Sequence, residues 1–199
     1  MLSKKTFPHR VITERDYLIF KMLWKWKALS TQAIALKFFP NATPYAAYIR
    51  LGRLEGSGYI QSIQVERPGF EVWTLAPRGY RIIKPRMVEL AKDGFKSEFY
   101  CHDYLATAFH LGEWLTGQPD GGETFSEQQL LRIPEDLWPA WIPQSTLHRP
   151  DGYSLFHRGE KKSIVAFETE LNPKSRCRYE RHVAFYDSQE SIEFVFWLV

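Results

Sequence analysis

The hydrophobic and polar positions of the first ninety residues predict three helices followed by a hairpin. Apolar side chains recur at helical spacing after Thr13 and again after Ser30, and both residues are good N-caps. Thr43-Pro44 begins a third helix, which stops at Gly56-Ser57-Gly58. The predicted helices span residues 14–27, 31–38 and 44–55, and the two strands that follow span 59–65 and 70–75. This order predicts a winged helix-turn-helix over residues 10–84.

The second half of the chain predicts a small mixed domain over residues 100–199. A charged connector, residues 84–99, leads into it. The pattern predicts helices at 101–116 and 175–188, a strand at 123–127, an irregular segment at 132–149, hairpin strands at 153–156 and 163–171 joined by a turn at 157–162, and a buried strand at 192–199. The chain is therefore expected to be a two-domain α+β protein.

The charge distribution divides the chain at the same place. Residues 1–90 hold fifteen Lys and Arg against six Asp and Glu, a net of +9, whereas residues 91–199 hold eleven against seventeen, a net of −6. A basic half suits a polyanion. Cys101 and Cys177 show no metal-type spacing, and no stretch is apolar enough to span a membrane, so we expect a cytoplasmic protein without a membrane partner.

The basic half carries candidate contacts to double-stranded DNA. One face of the third helix combines side chains suited to the major groove, and basic residues elsewhere can anchor phosphates. The predicted DNA-binding residues are Tyr45, Ile49, Arg50 and Arg53 on that helix, Arg67 at the tip of the wing, and Lys25, Lys27 and Lys37 as phosphate anchors. Alternatively, these arginines are merely solvated, or the domain docks a protein.

The acidic half carries a candidate cation site. Asp151 precedes one hairpin strand, and Glu168 and Glu170 share a face at the end of the other. Three carboxylates on one surface would hold Mg²⁺ or Mn²⁺ for phosphodiester hydrolysis, with Lys174 assisting the phosphate. The spacing resembles the PD-(D/E)xK nuclease core and predicts a restriction-endonuclease-like domain, although Glu170 stands where that motif has lysine. A structural remnant without metal is the alternative.

Nearly the whole chain resembles the replication-relaxation family of plasmid and mobile-element proteins. The matching stretches are Thr13-Glu14-Arg15-Asp16, residues 30–35, residues 50–55, residues 73–79, His102-Asp103, Arg149-Pro150-Asp151, Phe167-Glu168-Thr169-Glu170 and the helix with Tyr179. The resemblance implies a winged helix joined to a nuclease-like domain, an acid-x-acid pair at Glu168 and Glu170, and a role in replication, relaxation or mobilisation alongside the proteins of those processes.

Three functions remain open from the sequence. The first is a DNA-binding accessory protein of a mobile element, with a nuclease-like and inactive second domain. The second is a metal-dependent DNA endonuclease that uses the candidate acids. The third is a winged-helix transcription regulator whose second domain senses a signal or forms a homodimer.

Overall fold

The protein is described by a computed structural model that covers residues 11–65, 70–95, 97, 99–112, 122–144 and 147–199. It is a mixed α+β chain of two compact units. Unit 1 is Met1–Met87 with Gly94–Tyr104, and unit 2 is Val88–Asp93 with Leu105–Val199. The predicted connector thus contributes residues to both units. No helix in the covered ranges combines the length and apolar character needed to cross a lipid bilayer.

Unit 1 begins with the predicted order of helices and strands. Its elements are α1 (Glu14–Trp26), β1 (Leu29–Ser30), α2 (Thr31–Phe38), α3 (Pro44–Gly56), β2 (Ile60–Gln64), β3 (Glu71–Leu75) and α4 (Pro77–Ile83), followed by a 3-10 turn at Lys84–Arg86. The strands form a sheet in the order β1-β3-β2, and both pairs are antiparallel. The three predicted helices and the hairpin are therefore confirmed.

Local capping chemistry sets the ends of these helices. Thr13 and Asp16 form a reciprocal capping box at the start of α1, and the Ser30 hydroxyl accepts a hydrogen bond from Ala33 N at the start of α2. Helix α3 ends in paired bonds from Tyr59 N to Leu54 O and from Gly58 N to Glu55 O. This is the pattern in which a glycine of positive φ closes a helix, and Gly58 has φ +74°.

The core of unit 1 lies between the apolar faces of its helices and sheet. Phe20 and Leu23 of α1, Leu51 of α3 and Leu75 of β3 are essentially inaccessible to solvent. Burying each such side chain contributes about 1.5–3 kcal/mol. The buried residues of α3 recur at helical spacing and are Ala47, Leu51 and Leu54. The opposite face of α3 is therefore left open to solvent.

Unit 2 is built on a second sheet. Its elements are the C-terminal part of α5 (Tyr100–Leu111), then β4 (Glu123–Ser126), α6 (Glu127–Arg132), a 3-10 turn at Glu135–Leu137, β5 (Gly152–Arg158), β6 (Lys161–Thr169), α7 (Arg176–Asp187) and β7 (Ile192–Leu198). The strands lie in the order β4-β5-β6-β7; β4, β5 and β6 pair antiparallel, and β7 pairs parallel with β6. Helix α7 makes the crossover that a parallel pair requires.

Several details of unit 2 differ from the predictions. The hairpin turn is shorter than residues 157–162, because β5 and β6 pair as far as Arg158 and Lys161, and Gly159 adopts φ +63° between them. Helix α6 was not predicted. The prediction that the last strand is buried is wrong: Phe194 and Phe196 are 51% and 48% exposed, because β7 ends the sheet order and pairs with β6 alone among the described strands.

Candidate functional site

Helix α3 exposes a face of aromatic and small side chains. Tyr45 and Tyr48 are 68% and 55% exposed, and their rings stack with centroids 6.5 Å apart. Ala46 and Gly52 are also exposed, and a Cβ added to Gly52 would meet no atom within 4 Å. The fold does not require these aromatic side chains for its core, so this face is a candidate interface.

The other predicted DNA-binding residues of α2 and α3 differ in accessibility. Ile49 and Arg53 are half-buried on α3. Arg67, predicted at the wing tip, lies outside the described residues. Lys37 is exposed on α2. Of the predicted cations on α2 and α3, Lys37 is therefore exposed and Arg53 is partly accessible.

Arg50 is held in an ion pair inside unit 1. Its Nε donates to Asp16 Oδ1 at 2.8 Å, its Nη2 contacts Asp16 Oδ2, and the Asp16 side chain is fully buried. The Thr13 backbone N–H and hydroxyl donate to the same carboxylate, each at 2.7 Å. Arg50 therefore joins α3 to the start of α1, and contact of its guanidinium with a base edge would require this pair to open.

The pKa of Asp16 reflects two opposing effects. Burial raises the pKa, but hydrogen bonds from Arg50 and Thr13 and the charge of Arg50 outweigh it and hold the pKa below its usual value. The carboxylate is thus ionised in the folded protein, which is the form that the guanidinium needs.

The predicted phosphate anchors at the end of α1 are less accessible than Lys37. Lys25 is half-buried, with its ammonium 5.5 Å from the centroid of the Trp26 ring. Lys27 is buried at the helix C-cap, where its φ is +64°, and its Nζ donates to Asp103 Oδ1 at 3.1 Å. Phosphate binding by Lys27 would therefore compete with a buried ion pair.

The predicted acids of unit 2 lie near one another but have different partners. The register that pairs Gly152 with Phe167 puts Asp151 opposite Glu168, and Asp151 Oδ2 accepts a hydrogen bond from Thr169 N at 2.5 Å. Glu170 contacts the Lys174 ammonium. The hairpin therefore brings Asp151 beside Glu168, while Glu170 and Lys174 form an ion pair.

Glu168 belongs to a cluster that the sequence reasoning did not predict. One Glu168 oxygen, Oε1, contacts both His148 Nε2 and the Tyr186 hydroxyl. His148, Glu168 and His182 each offer one ligand atom, and these atoms lie within 4.8 Å of one another. Among the described residues, these three side chains are the group of His, Cys, Asp or Glu whose donor atoms lie close enough to hold one metal ion. Glu168 is the only predicted acid in this group.

The cluster is largely shielded from solvent, and this burial affects the pKa of its side chains. Glu168 and His182 are 5% and 7% exposed. Burial lowers the pKa of His182, and the neighbouring His148 lowers it further, so the imidazole is kept neutral. Burial and the Glu168 carboxylate raise the pKa of Tyr186, so its hydroxyl stays protonated and donates to Glu168.

A cleft of about 590 Å³ reaches this cluster. It is lined by both histidines and by residues of α7 and the segment before β5, namely Leu147, His148, Arg178, Arg181, His182, Ala184, Phe185 and Ser188. Arg178 and Arg181 are exposed at its edge. The cleft therefore gives solutes a route to His148 and His182.

The sequence reasoning missed Tyr48, His148, His182 and Tyr186. A signal for Tyr48 was present, because it lies three residues after Tyr45 and the two therefore meet on one helix face. The histidines had a weaker signal: His148 stands three residues before Asp151, and His182 lies in the helix that follows Glu168. Only the folded sheet and crossover bring them together.

Comparisons with protein-family models, with curated proteins and with solved structures found no match in any of the three. The fold and contacts define an α+β protein with two candidate sites, one on each unit. The first is the exposed face of α3, and the second is the histidine and carboxylate cluster beside β6.

Proposed function

We propose that this protein binds double-stranded DNA through the exposed face of α3. The observation that carries the proposal is the pair of stacked, exposed tyrosines, Tyr45 and Tyr48, on the third helix of a basic unit. We further propose, from the resemblance to the replication-relaxation family, that it serves a plasmid or other mobile element as an accessory protein in replication, relaxation or mobilisation.

The order of elements supports DNA binding. Helices α1, α2 and α3 are followed by the β2-β3 hairpin. The short strand β1, which lies between α1 and α2 in the chain, pairs with β3 in the same sheet. This order is typical of winged helix-turn-helix domains, whose recognition helix enters the major groove. In unit 1 that helix would be α3, and the hairpin would be the wing.

The chemistry of the exposed face suits a duplex. Tyrosine hydroxyls donate to phosphate oxygens, and Arg53 can reach a guanine edge or a phosphate. The exposed glycine at position 52 leaves room for the helix to approach the groove closely. The net charge of +9 over residues 1–90 favours any such contact, because phosphate neutralisation supplies most of the non-specific affinity.

The test is titration of a fluorescent 30-base-pair duplex of mixed sequence at low salt. We expect Arg53→Gln to weaken binding several-fold and to reduce the slope of log affinity against log salt by about 1. Arg176→Gln is the matched control, because it removes the same charge from a side chain that is 92% exposed in unit 2. Absence of duplex binding by wild type, or an equal loss in both variants, would contradict the proposal.

We infer that unit 2 is a nuclease-like scaffold without cleavage activity. The contacts of the candidate catalytic groups support this inference. The Asp151 carboxylate accepts a hydrogen bond from a backbone N–H, and Lys174 forms an ion pair with Glu170. In a working site these groups would face a metal ion and a phosphate. The Glu170 side chain, which stands where PD-(D/E)xK nucleases have lysine, instead engages the only lysine of the candidate set.

The cleavage test compares wild type with Asp151→Ala on supercoiled plasmid in Mg²⁺ and in Mn²⁺. We expect both proteins to leave the plasmid supercoiled while still retarding it in a gel. Metal-dependent nicking by wild type that is lost in Asp151→Ala would show instead that the protein is an endonuclease.

A further inference from the structure

We propose that His148, Glu168 and His182 form a binding site for one divalent transition-metal ion of the Zn²⁺ class. The inference goes beyond DNA binding and does not depend on it, because the site lies in unit 2 and its ligand is a metal ion. It also differs from the predicted Mg²⁺ or Mn²⁺ site at Asp151, Glu168 and Glu170, with which it shares only Glu168.

The geometry of the three donors supports the site. One donor atom from each of His148, Glu168 and His182 lies within 4.8 Å of the others. Two ligands bound tetrahedrally to Zn²⁺ at about 2.0–2.1 Å are roughly 3.4 Å apart. Small rotations of the side chains would therefore bring all three donors to bonding distance around one ion.

The burial of these groups also indicates a ligand. His182 is 7% exposed, and its Nδ1 is buried with no hydrogen-bond partner among the described residues. A buried polar atom left without a partner destabilises the fold, whereas a bound ion would satisfy it. Glu168 is a buried carboxylate at 5% exposure, and a cation near it would offset the cost of its desolvation.

The donor types select the metal. Two imidazoles and one carboxylate suit Zn²⁺ and its transition-metal neighbours, whereas Mg²⁺ and Ca²⁺ prefer oxygen ligands throughout. Tyr186 contacts the Glu168 carboxylate, and such an outer hydrogen bond orients a metal ligand. Three protein ligands leave a fourth position for water or another small ligand.

The three ligands come from separate parts of unit 2, and the cleft gives an ion access to them. His148 precedes β5, Glu168 lies in β6, and His182 lies in α7. The cleft of about 590 Å³ is lined by both histidines, so an ion can enter without unfolding. An ion held there would link the segment before β5 to the crossover helix and stabilise unit 2.

The test uses the tag-free full chain after chelator treatment and dialysis. Zn²⁺ is titrated against a competing chromophoric indicator, and Co²⁺ is titrated separately while its visible absorption is recorded. We expect one ion per chain with an affinity tighter than micromolar, a Co²⁺ spectrum of tetrahedral type, and a higher melting temperature with Zn²⁺ than without it.

The variants assign the ion to the cluster. His148→Ala is the main variant, because His148 is the most exposed of the three ligands, with a side chain that is 14% exposed. We expect its affinity for Zn²⁺ to fall by at least the roughly 10–100-fold seen when even outer partners of metal ligands are removed. His157→Ala, which changes an exposed histidine of β5, is the matched control and should bind like wild type.

Two outcomes would overturn the site. One is wild-type protein that binds less than one Zn²⁺ per chain at micromolar concentrations. The other is equal affinity in His148→Ala and His157→Ala. Since the readout is metal stoichiometry and spectrum, failure here leaves the duplex titration unaffected, and failure of DNA binding leaves the metal result intact.

Discussion

Replacing Arg50 by methionine should destabilise unit 1 strongly. The change keeps an aliphatic side chain but removes the guanidinium. The fully buried Asp16 carboxylate then keeps its two hydrogen bonds from Thr13 but loses the charge that balances its own. Breaking a buried ion pair by removing one partner costs about 3–5 kcal/mol. That is a large part of the roughly 5–15 kcal/mol by which a typical domain is stable.

The measurement is urea denaturation at pH 7, followed by circular dichroism. The control is Glu14→Gln, which breaks the exposed Glu14–Arg86 ion pair of the same unit, where the side chains are 72% and 63% exposed. An exposed pair contributes about 0–1 kcal/mol, so the control should unfold almost as wild type does. Equal stability of Arg50→Met and Glu14→Gln would refute the assignment of Arg50 to a structural ion pair.

Three further substitutions in unit 1 should also change its stability. The contribution of Asp16 to the free energy of unfolding should be fully present above the pKa that its carboxyl has in the unfolded chain. It should be lost as the pH falls through the lower pKa of the folded protein. Asp16→Asn should therefore make the free energy of unfolding depend less on pH in the acid range. Gly52→Ala should stabilise the protein by about 1 kcal/mol, because the methyl group meets no atom within 4 Å and alanine favours helix; thermal melting measures it. Gly79→Ala should destabilise it by roughly 1–3 kcal/mol in the same melt, because the new Cβ would lie 2.1 Å from Tyr59 O.

Local signals predicted most of the helices and strands. The caps at Thr13 and Ser30 and the glycine stop after α3 depend on residues only a few positions apart, so the sequence displays them directly. Helix α6 escaped prediction even though Ser126 and Gln129 form a capping box, because it directly follows β4 and is only six residues long.

The solvent exposure of side chains and their ion-pair partners were harder to predict, because both depend on residues that are distant in the sequence. Helical periodicity put Arg50 on the open face of α3, but Asp16, 34 residues earlier, holds its guanidinium. The apolar run of β7 predicted burial, yet its place at the end of the sheet order leaves Phe194 and Phe196 open. A run of apolar residues predicts a strand, but it does not show whether other elements pack on both faces of that strand.

Of the candidate residues in unit 2, the sequence indicated the acids but not the histidines. Spacing alone indicated Asp151 and Glu168 as neighbours, because alternation and a hairpin suffice for that inference. The histidine cluster needed the tertiary fold: His148 and His182 stand on opposite sides of Glu168 in the chain, 20 and 14 residues away, and belong to elements with no local pattern in common.

Photocrosslinking would show whether the exposed face of α3 contacts DNA, as we propose. Benzoylphenylalanine is introduced in place of Tyr48, which is exposed on α3, and in a second protein in place of Glu180, which is exposed on α7 of unit 2. Each protein is irradiated with a labelled duplex. We expect a protein–DNA adduct from position 48 and little or none from position 180. Adducts from position 180 alone, or from neither position, would show that α3 does not contact the duplex.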